Sequence, residues 1–225
     1  MQKIFIGFDS TEPVAWDVCR YSIERNSLFG VDEIHRLTGE PGGWQRAHPG
    51  GQSTEFTYSR FLVPYLSDYE GVSLFVDCDF LFLDDVNLLT HYLRGASVAC
   101  CQHPDYTPRT TGKMDGQTQV AYPRKNWSSL MLFDNAKCRA LTPEYVASAT
   151  PQELHRMMWA DSIDSIPLEW NTLEGYYHFE QPKAIHYTDG GPWHNTYQDN
   201  RYTQLWKDYY REWCDTFKIN SSSHI

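Results

Sequence analysis

Short apolar runs alternate with amphipathic stretches along this chain. Residues 3–8, Lys-Ile-Phe-Ile-Gly-Phe, are rich in strand formers and stop at Asp9-Ser10. Thr11-Glu12-Pro13 has the composition of a helix start, with a hydroxyl available for the cap and a proline in the first turn. Val14, Val18, Tyr21 and Ile23 supply the buried stripe of a helix running to about Asn26. A second strand is expected near 32–37, and the Gly- and Pro-rich residues 39–53 read as a loop. The spacing of Phe56, Phe61, Leu62 and Tyr65 predicts a helix over 54–66. Val72-Ser73-Leu74-Phe75-Val76 is a continuous apolar run suited to a central strand, and it ends in Asp77-Cys78-Asp79.

Further along, 86–93 read as a short helix and 96–101 (Ala-Ser-Val-Ala-Cys-Cys) as another buried strand. Residues 102–126 are polar, with three prolines and two glycines, and a loop of that length suggests a functional lid. Strand character returns at 127–133, and helices are expected in the 140s and over 151–159. Lys183–Tyr187 forms a last strand, followed by the turn-rich Thr188-Asp189-Gly190-Gly191-Pro192-Trp193, and 199–217 forms an aromatic, charged helix. A strand-then-helix opening predicts an α/β fold, in which ligands bind beyond the carboxyl ends of strands. Asp9 and Ser10 occupy that position.

Composition narrows the class. The 225 residues fit one domain over 1–225, and 41% hydrophobic with 21% charged residues is a globular balance. No run of 18 apolar residues occurs, so no transmembrane helix is expected. The amino terminus reads as a strand rather than a signal peptide, and none of the six cysteines forms a C-x-x-C pair; both fit a reducing cytoplasm. The net charge of -10 argues against nucleic acid as a partner. An anionic small ligand would need a bound cation and a few placed basic residues.

The chemistry concentrates at Asp77-Cys78-Asp79. On an extended chain residues i and i+2 face one way, so Asp77 and Asp79 share a side and Cys78 takes the other. Two adjacent carboxylates repel unless something positive lies between them, and a hard divalent cation with oxygen ligands answers that need. A second chemistry uses the same triplet: an aspartate-nucleophile phosphatase, whose first Asp attacks phosphate. That motif usually follows the first strand and precedes a small hydroxyl residue, whereas here it lies deep in the chain and Phe80-Leu81 follow. A third reading is a non-catalytic nucleotide-sugar or carbohydrate-binding module, which fifteen Tyr and eight Trp would suit.

Four blocks together resemble the family 8 glycosyltransferases, relatives of glycogenin and of bacterial lipopolysaccharide galactosyltransferases. They are Ile4-Phe5-Ile6-Gly7-Phe8-Asp9, then Thr57-Tyr58-Ser59-Arg60-Phe61, then Leu74-Phe75-Val76-Asp77-Cys78-Asp79, and finally Ile185-His186-Tyr187-Thr188-Asp189-Gly190-Gly191-Pro192-Trp193. The resemblance implies a GT-A fold: a single Rossmann-like mixed sheet flanked by helices. It also implies a UDP-sugar donor, a carbohydrate or other hydroxyl acceptor, Mn²⁺ (or Mg²⁺), and retention of anomeric configuration. By the same resemblance Asp77, Asp79 and His186 are the metal ligands, Asp9 and Ser10 contact the uridine, and Arg60 lies near the donor phosphates or sugar. Gly190 and Gly191 would let backbone N–H groups approach a phosphate.

The chain also departs from the family pattern. Gly191 stands where a late lysine is usual, which leaves Arg60, Arg124 or Lys125 to meet the diphosphate. Trp127-Ser128-Ser129 replaces an Asn-Ala-Gly block, and the two hydroxyls could take over its hydrogen bonds to the sugar. The Asp-Gln-Asp block near the anomeric carbon has Asp161 as its nearest counterpart, with Asp164 behind it, and Trp170-Asn171 matches a segment that shapes the acceptor side.

Overall fold

Ile4, Phe5 and Ile6 are all buried although successive strand residues face opposite ways, so the first strand must be covered on both sides. In the computed structural model, which describes residues 3–47, 54–105 and 123–219, this strand is interior to a six-stranded sheet. The elements in chain order are β1 (Lys3–Gly7), α1 (Pro13–Asn26), β2 (Ile34–Leu37), the single turn α2 (Val63–Leu66), β3 (Val72–Val76), β4 (Phe80–Phe82), β5 (Val98–Cys101) and β6 (Leu130–Asp134). There follow α3 (Pro143–Ser148), α4 (Pro151–His155), β7 (Ile163–Ile166), β8 (Thr172–Leu173), β9 (Ala184–His186) and α5 (Thr203–Phe217). The large sheet has the order β2-β1-β3-β6-β5-β7. Only β6 runs against the others, so the carboxyl ends of β1, β2, β3, β5 and β7 share one edge. The register pairs Ile6 with Val76, which brings the chain after β1 beside the Asp77–Asp79 segment.

A second, three-stranded sheet, β4-β9-β8, follows directly from β3. Its strands are two or three residues long; β9 lies within the strand expected over Lys183–Tyr187, whereas β4 and β8 are too short for periodicity to reveal. The helix α5 closes over it, with Tyr202, Trp206, Tyr209, Tyr210 and Trp213 forming a core with Leu81, Ile185 and Tyr187. The same cluster takes Val14 and Val18 of α1, while Trp16, Cys19 and Ile23 enter the main core. The helix α1 therefore separates two cores, which is why its buried positions do not form one stripe. Among the described residues no helix is long and apolar enough to cross a membrane.

Three expectations need correction. The helix over 54–66 is mostly turns and a short 3₁₀ segment (Ser59–Leu62), with α-helix only at Val63–Leu66. Pro64 limits it, because the ring lacks an N–H and would collide with the carbonyl four residues back, so an α-helix can hold this residue only in its first turn, where α2 places it. The Thr11 hydroxyl does not cap α1; it donates to Asp9 Oδ1 at 2.6 Å, and Glu12 occupies the cap without a side-chain bond. The strand expected from Trp127 begins at Leu130, after a 3₁₀ turn at Trp127–Ser129 entered through Asn126 with φ of 63°. Much of the expected long loop, residues 106–122, lies outside the described residues, as do 48–53.

Two histidines are packed beside the carboxyl edge of the sheet. His103, just beyond β5, is buried, with Nδ1 bonded to the Tyr177 hydroxyl. Burial first, and then the nearness of His186, pushes it down to about 3. His155, at the end of α4, keeps some exposed surface, but its ring is boxed in by Tyr58, Phe61 and the Ser128 hydroxyl. Burial followed by the charges of Arg60 and Arg46 pushes it to about 3 as well.

Two outcomes are expected. An unfolded histidine binds its proton near pH ~6.5, and these folded ones only near 3. The unfolded chain therefore holds more protons in between, and stability falls as pH drops from about 6.5 toward about 3. Urea midpoints measured across that window should decline less steeply for His103→Gln than for wild type; superimposable slopes would refute the assignment. Separately, a Cβ on Gly7 would lie 2.4 Å from the Phe56 ring. Gly7→Ala should therefore lower the unfolding free energy by about 1–3 kcal/mol, as overpacking does, and an unchanged urea midpoint would show that Phe56 moves aside freely.

Candidate functional site

The apolar strand β3 ends at Val76, and the next residues leave the sheet at its carboxyl edge. Cys78 turns inward, buried, with its Sγ 3.4 Å from Glu12 Oε1. Burial and the Glu12 carboxylate raise its thiol well above the ordinary range, so it stays protonated and acts as an anchor. Asp77 and Asp79 take the other side, as the two-residue repeat requires. The third member arrives through strand pairing. The strand β4 begins one residue after Asp79 and pairs with β9, setting Phe80 opposite His186. The Tyr187 N–H donates to the Asp79 carbonyl at 2.9 Å and fixes the same register. The buried imidazole stacks on Phe80, with ring centroids 4.4 Å apart, and places Nε2 3.3 Å from Asp79 Oδ1.

One ligand atom from each of Asp77, Asp79 and His186 lies within 4.8 Å of the others. Two carboxylates and one imidazole are a donor set that suits a divalent first-row ion, Mn²⁺ in particular, because imidazole tolerates transition metals better than Mg²⁺. The residues present therefore fit the ion that the sequence suggested.

The remaining sequence candidates have distinct placements. Arg60 is buried, its guanidinium lying over the rings of Phe56 and Phe75. Its Nη1 is 2.9 Å from Asp77 Oδ1 and also 2.9 Å from the Ser128 carbonyl oxygen, so it holds Asp77 from behind. Asp9 is buried and accepts from the Thr11 N–H, the Thr11 hydroxyl and the Glu55 N–H, so its carboxylate braces the loop after β1. Ser10 reaches Glu55 by a short hydrogen bond. Glu55, with Thr38, Gly39, Trp44, Arg46 and Tyr58, lines a cavity of about 500 Å³ beside the ends of β1 and β2.

The hydroxyls of Ser128 and Ser129 bond within the protein. Ser128 meets His155 Nδ1 at 2.8 Å, and Ser129 donates to the Asn126 carbonyl at 2.7 Å and accepts from Asn171 at 2.9 Å. Gly190 has φ of 105°, and a Cβ on Gly191 would lie 2.1 Å from the Trp193 ring. Both glycines are thus required by the packing of the turn itself. Asp161 is the clear correction. It is exposed and precedes β7, so it stands at the amino ends of the parallel strands, across the sheet from Asp77. There it follows burial and Asp134 in pushing the Cys138 thiol up to about 12. Asp164 is at the same edge, accepting from the N–H groups of Arg94 and Ala96. Arg124 donates to the Arg156 carbonyl.

One residue near the site escaped the sequence reading: His103 lies two residues beyond an apolar strand, but it has no paired residue beside it of the kind that marked Asp79. Asn171, expected on the acceptor side, also places its Oδ1 2.9 Å from His186 Nδ1.

No family model matches the sequence. Protein CDI of Arabidopsis thaliana is 42% identical over 217 residues, covering 91% of this chain and 84% of that protein. Among solved structures, the bifunctional glycosyltransferase WbbM has a TM-score of 0.65 at 14% identity over 96% of this chain. The galactosyltransferase LgtC, solved with donor and acceptor sugar analogues, has a TM-score of 0.60 at 12% identity over 94% of this chain and 96% of its own. The glycosyltransferase GlyE of Streptococcus pneumoniae TIGR4 has a TM-score of 0.59 at 17% identity over 100% of this chain. This chain spans 51% of the WbbM chain and 66% of the GlyE chain. These likenesses establish the α/β architecture of GT-A glycosyltransferases, and identity sustained over nearly the whole sequence places this chain in the family of the Arabidopsis Protein CDI.

Proposed function

We propose that this chain is a single-domain, metal-dependent glycosyltransferase of the family 8 type that moves a hexose from a UDP-sugar to an acceptor hydroxyl, with retention. The observation that carries the reading is the Asp77, Asp79 and His186 cluster at the carboxyl edge of a GT-A sheet. These three residues would hold Mn²⁺ or Mg²⁺, and a bound ion would supply Lewis-acid stabilisation of the charge that develops on the leaving diphosphate.

The protein's own part is mainly positional. Arg60 fixes the Asp77 carboxylate and adds a buried positive charge behind it. Asp9 holds the loop after β1 in shape through three accepted hydrogen bonds, preparing the edge against which the uridine would lie. The neighbouring cavity, bordered by Trp44 and Tyr58, offers aromatic surface for that end of the donor. Acceptor binding is assigned to residues 102–126, of which 106–122 lie outside the described residues, to the C-terminal segment and to the Asn171 side. The six free, buried cysteines suit a reducing cytoplasm. A phosphatase would need Asp77 as a free nucleophile; its pairing with buried Arg60 counts against that role.

The test is release of UDP from UDP-hexoses with Mn²⁺ and with EDTA. Wild type should release UDP only with the metal, and Asp79→Ala should lose that turnover while melting within a few degrees of wild type. Full activity in Asp79→Ala would overturn the model. In a thermal-shift screen, UDP with Mn²⁺ at about 100 times its Kd should add about 2.7 kcal/mol, or roughly 5–10 °C.

A further inference from the structure

The shortest hydrogen bond behind His186 sets the direction of the others. Ser129 Oγ lies 2.7 Å from the Asn126 carbonyl oxygen. A carbonyl only accepts, so the single hydroxyl proton is used there. The Ser129 oxygen is then an acceptor for the neighbouring Asn171 amide, whose Nδ2 donates to it at 2.9 Å. With the amide nitrogen turned to Ser129, the amide oxygen faces His186 Nδ1 at 2.9 Å. That oxygen also only accepts, so Nδ1 carries the ring proton. In a neutral ring Nε2 then keeps its lone pair, and Nε2 is the atom beside Asp79.

The surroundings hold this chain of bonds in place. Asn171, Ser129 and His186 are 0%, 2% and 2% exposed, so water offers little competition as a partner. Asn126 sits in the left-handed region, with φ of 63°, and its own side chain donates to Thr188 Oγ1 at 3.2 Å. The residue that starts the chain is thereby tied to the turn just after the strand that carries His186. A free neutral imidazole has no such instruction, and here a bare Nε2 and a carboxylate oxygen face each other at 3.3 Å. Two acceptors so placed repel unless a cation lies between them.

We propose that Asn171 and Ser129 are positioning residues that set His186 in the Nδ1–H tautomer, so that Nε2 is presented in advance as a ligand for a divalent cation. The inference rests on the proposed metal site. It goes beyond that reading in assigning the tautomer to a buried amide and a hydroxyl that never touch the ion. Outer partners of ligating histidines commonly govern metal affinity in this way.

Two measurements test it. In metal-free wild type, long-range ¹H–¹⁵N correlation recorded on the neutral ring should show the His186 proton on Nδ1. A proton on Nε2 would overturn the proposal whether or not metal binds. Mn²⁺ affinity, read from the EPR signal of the free ion, should fall about 10–100-fold in Ser129→Ala. A carboxylate at 171 accepts from Nδ1 with either oxygen, so it needs no hydroxyl to orient it. In an Asn171→Asp background, Ser129→Ala should therefore cost little further affinity, whereas a merely structural serine would cost the same in both backgrounds. If Ser129→Ala binds Mn²⁺ as tightly as wild type while Asp79→Ala does not bind it, the positioning role fails and the metal site stands. If wild type itself binds no Mn²⁺, the metal-site reading fails, and with it the ligand role assigned to His186.

Discussion

Two carboxylates at the end of a buried strand repel each other, and the arrangement of this edge of the protein answers that repulsion. At about 4 Å and an effective dielectric constant of about 20, two like charges cost roughly 4 kcal/mol, a large share of what holds a domain together. Arg60 meets Asp77 from the core side, and the His186 Nε2, set beside Asp79 from the second sheet, leaves the remaining negative charge for a cation to meet. Each of these partners is itself buried and stacked against aromatic rings. The site is thus built before any ligand arrives, which is the preorganisation that electrostatic catalysis depends on.

That requirement explains the second sheet. Residues β4 and β9 lie far apart in the chain, and their pairing is the device that brings His186 to Asp79. Three strands of two or three residues would be marginal alone. They persist because α5 and the residue before it cover them with Tyr202, Trp206, Tyr209, Tyr210 and Trp213, and α1 adds Val14 and Val18 to the same core. Packing remote from the chemistry therefore fixes a distance within it. The glycines of the late turn serve the same end: Gly191 leaves room for Trp193, whose Nε1 donates to Glu12, and Glu12 in turn meets Cys78 between the two aspartates.

Much of the large sheet was legible because its strands are apolar on both faces and end in polar turns, as at Val76-Asp77 and Phe8-Asp9. The failures have specific causes. Helical spacing over 54–66 gave way to a single proline, Pro64. Thr11, a good capping residue, found a nearer partner in Asp9. Asp161 resembled a catalytic residue by order along the chain, yet order says nothing about which end of a strand a residue occupies, and it falls at the amino edge.

The residue types that could meet a cation, and their place after a central strand, follow from the sequence alone: a continuous apolar run must be interior, and two carboxylates two residues apart at its end must share a face. Which groups complete the site was a tertiary decision. Strand pairing over a long stretch of chain sets His186 against Asp79, and burial turns Arg60 toward Asp77. The proton on His186 depends on an ordered run of donors and acceptors through Asn171 and Ser129 to a main-chain carbonyl. Such a run exists only when those groups have been packed together and water excluded, so no local pattern in the chain can encode it.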